Sequence, residues 1–130
     1  MKKIHVEGDP KLKNTGNKQY SMVVGRFQVF HSGHKWLIDQ CLNDGKNVLI
    51  CVRDVEPDER NPFTALEVED NIKKELWKLL GEEKVKIIII PDIESINFGR
   101  GVGYDIIEHI PPQEIHDISA TKIRENLKSK

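Results

Sequence analysis

His31 and His34 stand three residues apart in the stretch GRFQVFHSGH, Gly25 to His34, with Ser32 and Gly33 between them. Side chains three apart share one side of a helical turn, so the two imidazoles face the same way. Gly25 allows a sharp turn and the close approach of a ligand. Ser32, Gly33 and His34 enter a helix, whose first N–H groups favour an anion. Backbone amides and two imidazoles together suit a phosphate. A His-x-x-His pair also suits zinc, but zinc needs further ligands. Only His5, His109 and His116 remain as histidines, and neither Cys41 nor Cys51 is well spaced for the task. The phosphate cradle is therefore the stronger reading, and no metal site is assigned to the protein.

The elements that must position this cradle alternate along the chain. YSMVVG, Tyr20 to Gly25, reads as a short buried strand ended by glycine. A helix follows from about Gly33 to Asn43, with Trp36, Leu37, Cys41 and Leu42 turned inward, and Asp44-Gly45 stops it. NVLICV, Asn47 to Val52, is continuously apolar, as in a parallel strand covered on both faces. After the charged loop RDVEPDERNP, Thr64 and Glu67 form a capping-box pattern. Ala65, Val68, Ile72, Leu76 and Leu79 then recur at helical spacing, which predicts one helix to about Leu80, stopped by Gly81. KVKIIII, Lys84 to Ile90, is a third strand closed by Pro91. Asp92 to Tyr104 reads as loop, and YDIIEHI, Tyr104 to Ile110, as a further short strand at an edge. Trp36 and Trp77 occupy apolar helix positions and read as core. ISATKIRENL, Ile118 to Leu127, reads as a last helix entered near Ser119, with Ala120, Ile123 and Leu127 inward.

Strand and helix in alternation imply a three-layer α/β domain: a doubly wound parallel sheet with helices on both faces. Ligands of such sheets bind beyond the carboxyl ends of the strands, where the histidine stretch lies. Residues 1–18 read as an arm and residues 19–130 as the domain. The 130 residues carry a formal charge of −1, from 20 Lys and Arg against 21 Asp and Glu. That balance lacks the basic footprint of a general nucleic-acid binder. No apolar run reaches membrane-spanning length, and the two cysteines sit in apolar patterns, as reduced thiols do. A cytoplasmic protein with no nucleic-acid or membrane partner is expected.

GRFQVFHSGH resembles the signature of the HxGH nucleotidylyltransferase superfamily, here His31-Ser32-Gly33-His34. A second signature of that superfamily is similar to ISATKIR, Ile118 to Arg124, about ninety residues later and in family order. Gly-Arg-Phe-Gln at Gly25 and NPFT from Asn61 resemble the nicotinamide mononucleotide adenylyltransferase branch and the small phage-type cytidylyltransferase-like proteins related to it. Many members have proline where Val29 stands, and Ala120 replaces a common serine or glycine. The segment between Ile90 and Ile118, which in that branch shapes the base and acceptor pockets, is short.

The resemblance implies a Rossmann-like nucleotidylyltransferase fold. It also implies transfer of a nucleoside monophosphate, AMP or CMP, from a nucleoside triphosphate to a phosphorylated small molecule, with release of pyrophosphate. His34, His31 and Arg124 would be catalytic. Gly25, Arg26, Phe27, Gly33, Ile118, Ser119 and Thr121 would join them in holding the nucleotide. Arg53, Asn61, Phe63, Thr64 and Arg100 are candidates for the acceptor, although a solvated loop and a simple helix cap explain several of them equally well. Magnesium would arrive with the triphosphate. Nicotinamide mononucleotide adenylyl transfer is slightly preferred. Cytidylyl transfer to a phosphorylated alcohol or sugar is the alternative within the family, and a non-catalytic nucleotide sensor the alternative outside it. A homo-oligomer is left open.

Overall fold

The computed structural model describes residues 18–101 and 103–113. Helices separate three strands: β1 Tyr20–Gly25, α1 Ser32–Asn43, β2 Asn47–Asp54, α2 Ala65–Glu75, α3 Trp77–Gly81 and β3 Val85–Pro91. The strands form one sheet in the order β1-β2-β3, and both pairings are parallel. This is a Rossmann-like α/β architecture, as the alternation predicts.

The register explains which side chains form the core. Val23, Ile50 and Ile87 lie in one row across the sheet, and Gly25, Val52 and Ile89 in the row two residues on. Paired residues of parallel strands point to the same face, so these rows share a face with Val48 and Val85. Against it pack Ile38 and Cys41 of α1, Ala65, Val68 and Ile72 of α2, and Leu76. Helices thus cover one face of the sheet among the described residues. On the other face Cys51 is fully buried, while Met22 and Ile88 are exposed. The expected last helix, at Ile118–Leu127, and the arm lie outside the described residues.

Four expectations change. Residues 104–110 form no strand; Ile106, Ile107 and Ile110 in that segment are exposed, without a ladder to bury them. On α1 the fully buried residue is Ile38, one position beyond Leu37, and Trp36 is only half-buried. The helix expected to run unbroken to Leu80 divides at Leu76, whose backbone (φ −113°, ψ 22°) leaves the helical region. The break lets Leu76 stay buried and brings Leu79 and Leu80 against the core, at the expense of Trp77, which is 72% exposed rather than in the core. Gly81 remains helical; the left-handed residue that ends α3 is Glu83 (φ 59°).

The ends of the other elements follow the sequence. Thr64 Oγ1 accepts from the Glu67 N–H at 3.2 Å and the Glu67 carboxylate accepts from the Thr64 N–H at 3.0 Å, the reciprocal cap the spacing predicts. Gly45 adopts φ 75° after α1, where its N–H donates to the Leu42 carbonyl. Ile72, fully buried between α2 and the sheet, carries this packing. Ile72→Ala should lower the free energy of unfolding by about 2–5 kcal/mol, measured by denaturant titration. A loss below about 1 kcal/mol would show that α2 does not rest on the sheet as described.

Candidate active site

The site begins where β1 ends. Phe27 has φ 48°, a left-handed conformation that costs a non-glycine residue about 1–2 kcal/mol. It folds the Phe27 ring back over Gly25, where a Cβ would meet ring carbons at 3.1–3.4 Å. Gly25 is therefore needed because the aromatic ring occupies the space of a side chain. Phe27 is buried there, and its ring meets the His34 imidazole edge-on at 5.0 Å. Phe30 stacks on the same imidazole at 5.6 Å.

His31 is the N-cap of α1. Its Nδ1 accepts from the Gly33 N–H at 3.0 Å, and the His31 N–H in turn donates to His34 Nδ1 at 3.2 Å. Two histidines thereby reproduce the reciprocal cap that serine and glutamate usually form. The rings lie nearly parallel, with centroids 3.8 Å apart. Because each Nδ1 accepts, each neutral ring must carry its proton on Nε2. The turn therefore presents two Nε2–H donors side by side at a helix N-terminus.

Both rings are held neutral. Burial, and then the charge on neighbouring His31, depress His34 from 6.5 to about 4. Burial also holds His31 below its ordinary value. Neutral donors suit an anion that brings its own charge, and imidazoles whose Nε2 atoms bear hydrogen do not offer lone pairs to a cation.

The loop after β2 is built around Asp58. Its Oδ1 accepts from the N–H groups of Asn61 (2.7 Å) and Arg60 (2.8 Å) and from Asn61 Nδ2 (3.3 Å). The Asn61 backbone bond, with help from the other two bonds and the nearby Arg26 charge, holds the Asp58 carboxyl below the usual carboxylate range against the opposing effect of desolvation. Asn61 is buried within this loop. Phe63 is half-buried, with its backbone N–H and C=O both bonded to the side chain of Gln28. Arg53, at the end of β2, pairs with Asp92 at 2.6 Å and donates to the Ile93 carbonyl at 2.8 Å. It fastens the loop after β3 to the sheet edge.

The structure thus brings Gly25, Arg26, Phe27, His31, Gly33 and His34 together at the carboxyl end of β1. Arg53, Asn61, Phe63 and Thr64 lie in or beside the loop after β2, each with a structural partner. Arg100 is exposed in the segment after β3. Ile118, Ser119, Thr121 and Arg124 lie outside the described residues. Sequence reasoning missed Gln28, Phe30 and Asp58. A glutamine inside the apolar run FQVF was the available signal for Gln28; Asp58 was hidden among the charges of its loop.

A neutral, half-buried His34 links folding to pH. The unfolded ring takes its proton near 6.5 and the folded ring near about 4, so between those values the unfolded state binds more protons. Stability contributed by the neutral ring is complete above the window and is lost as pH falls through it. The denaturant midpoint should decline from about pH 6.5 to about 4, and decline less steeply in His34→Asn. Equal slopes in the two proteins would contradict this assignment.

Residues 22–74 match the family model of cytidylyltransferase-like proteins. The matched span runs from β1 through the histidine turn, β2 and the Asp58–Thr64 loop into α2. No curated protein matches the chain. Residues 22–74, which build this site, are similar to cytidylyltransferase-like proteins, and the match supports the resemblance of the histidine motif to the nucleotidylyltransferase superfamily.

Proposed function

We propose that the protein transfers a nucleoside monophosphate from a nucleoside triphosphate to a phosphorylated small molecule and releases pyrophosphate. The observation that carries this reading is the His31–His34 cap, which uses both Nδ1 atoms and leaves two neutral Nε2–H donors free for a ligand at the end of β1. An acceptor phosphate has a second pKa near ~6, so it is already largely ionised at neutral pH and needs no strong base. One of its oxygens forms a bond to the α-phosphorus while the bond to the pyrophosphate oxygen breaks. What the protein supplies is alignment and stabilisation of the charge that builds on the phosphate oxygens. His34 donates to the α-phosphate and His31 to its neighbour. Arg26 lies within reach of the triphosphate, and the acceptor approaches over the Asn61–Thr64 loop.

Ser119, Thr121 and Arg124 hold the leaving phosphates in this reading, on the strength of the ISATKIR motif alone. The donors that line the histidine turn do not suit a cation; magnesium would arrive with the triphosphate and would supply countercharge to it. Among the described residues no cluster of three or more histidine, cysteine or acidic side chains could hold a metal ion. No helix among them is long and apolar enough to cross a membrane. GRFQ and NPFT favour adenylyl transfer to a mononucleotide such as nicotinamide mononucleotide over cytidylyl transfer to a phosphorylated alcohol or sugar.

A pyrophosphate-release screen of four nucleoside triphosphates against a panel of phosphorylated acceptors tests the function. Turnover with one pair is expected; triphosphate binding without turnover on any acceptor would instead favour a nucleotide sensor. With the active pair, His34→Ala should lower kcat by about 10²–10³ while leaving triphosphate affinity nearly unchanged, because its donor acts where charge develops. Arg124→Ala should impair the same step, and Arg124→Lys should restore it only partly, since an ammonium cannot reproduce the bidentate fork. Wild-type kcat in His34→Ala would remove that residue from the reaction.

A further inference from the structure

Gln28 is almost wholly buried, 3% exposed, although it is polar and no step of the transfer uses it. Its Nε2 donates to the Phe63 carbonyl at 3.1 Å, and its Oε1 accepts from the Phe63 N–H at 2.9 Å. The side-chain amide thus pairs with the backbone N–H and C=O of one residue, as a residue of a neighbouring strand would, donating and accepting at once. The bond joins residues 35 apart in sequence, in the loops that follow β1 and β2. Gln28 lies between Phe27 and Phe30, the two rings that enclose the His34 imidazole. Phe63 lies between Asn61, which Asp58 fixes, and Thr64, which caps α2. One amide therefore sets the spacing between the imidazole pair and the Asn61–Thr64 loop.

We propose that Gln28 is a positioning residue for the transfer reaction: its paired hydrogen bonds to Phe63 lock the Asn61–Thr64 loop to the histidine turn, so that the acceptor meets the α-phosphate in line. This rests on the function proposed above. In-line displacement is sensitive to placement, and a misplacement of about 1 Å can cost roughly 10²-fold in rate. Only a side chain of this length with both a donor and an acceptor can make the pair.

The test uses the full chain and the substrate pair found in the screen. Gln28→Met keeps the length of the side chain without its hydrogen bonds. It is expected to bind the triphosphate within about threefold of wild type, by calorimetry, while kcat/KM for the acceptor falls at least tenfold, roughly the cost of partial misplacement. Gln28→Glu should match it at about pH 8, where an ionised carboxylate cannot donate to the Phe63 carbonyl. It should recover towards wild type assayed at the same pH as the pH is lowered to about 5.5, because burial raises the carboxyl's pKa and the protonated form supplies both bonds. Wild-type kcat/KM in Gln28→Met, or parallel loss of triphosphate binding and transfer, would overturn the proposal. So would failure of both variants to fold, since Gln28 would then serve the fold alone. If the wild-type protein turns over no substrate pair, the functional reading has failed separately. The ring resonances of His31 and His34 then decide on Gln28. Displacement in Gln28→Met, and return in Gln28→Glu at low pH relative to wild type at that pH, supports the tie; unmoved resonances overturn it.

Discussion

Two hydrogen bonds at the start of α1 govern the rest of the site. In most reciprocal caps a hydroxyl and a carboxylate satisfy the first helical amides, and both side chains are used up in doing so. An imidazole has two nitrogens, so His31 and His34 can cap the helix through Nδ1 and still present Nε2–H to a ligand. The cap fixes the tautomer, the tautomer fixes the donor, and the stacked rings place the two donors side by side. Burial keeps the pair neutral, as does the positive end of the helix dipole, which disfavours a cation there. The same helix end favours an anion.

Around that cap the molecule uses its polar side chains to tie loops to one another. Gln28 joins the loop after β1 to the loop after β2, Asp58 closes the second loop upon itself, and Arg53 joins the end of β2 to the loop after β3. The sheet beneath is only three strands wide among the described residues, and its parallel register brings all three strand ends to one edge. Loops at such an edge would otherwise sample many conformations; side-chain ties reduce that freedom without an added element of secondary structure. Arg53, Asn61 and Thr64, which in sequence looked like ligand contacts, also hold the loops together.

This division explains what the sequence disclosed. The strands were legible because parallel strands are continuously apolar, and α1 and α2 because their stops and caps are local: Asp44-Gly45 after one, Thr64 and Glu67 before the other. The histidine pair was legible because spacing alone puts both rings on one side of a turn. The break at Leu76 was not, because the apolar period continues through it and only the competition among Leu76, Leu79 and Trp77 for the core decides which side chain is expelled. Nor was the role of His31 as a cap, since histidine rarely takes that position and its second nitrogen is what makes it useful here. Gln28 and Arg53 gained their partners from residues 35 and 39 positions away, a pairing that no local pattern encodes.

The central claim is that His31 and His34 are a neutral pair of Nε2–H donors waiting for a phosphate chain. Nitrogen-detected NMR of the two imidazoles, followed from about pH 8 to about pH 4 with and without a nucleoside triphosphate, tests it most directly, since the protonated and unprotonated nitrogens of each ring resonate apart. Both rings should carry the proton on Nε2, His34 should stay neutral down to about pH 4, and the Nε2 signals of both should move when the triphosphate binds. A His34 ring that titrates near 6.5, carries its proton on Nδ1, or ignores the triphosphate would contradict the account.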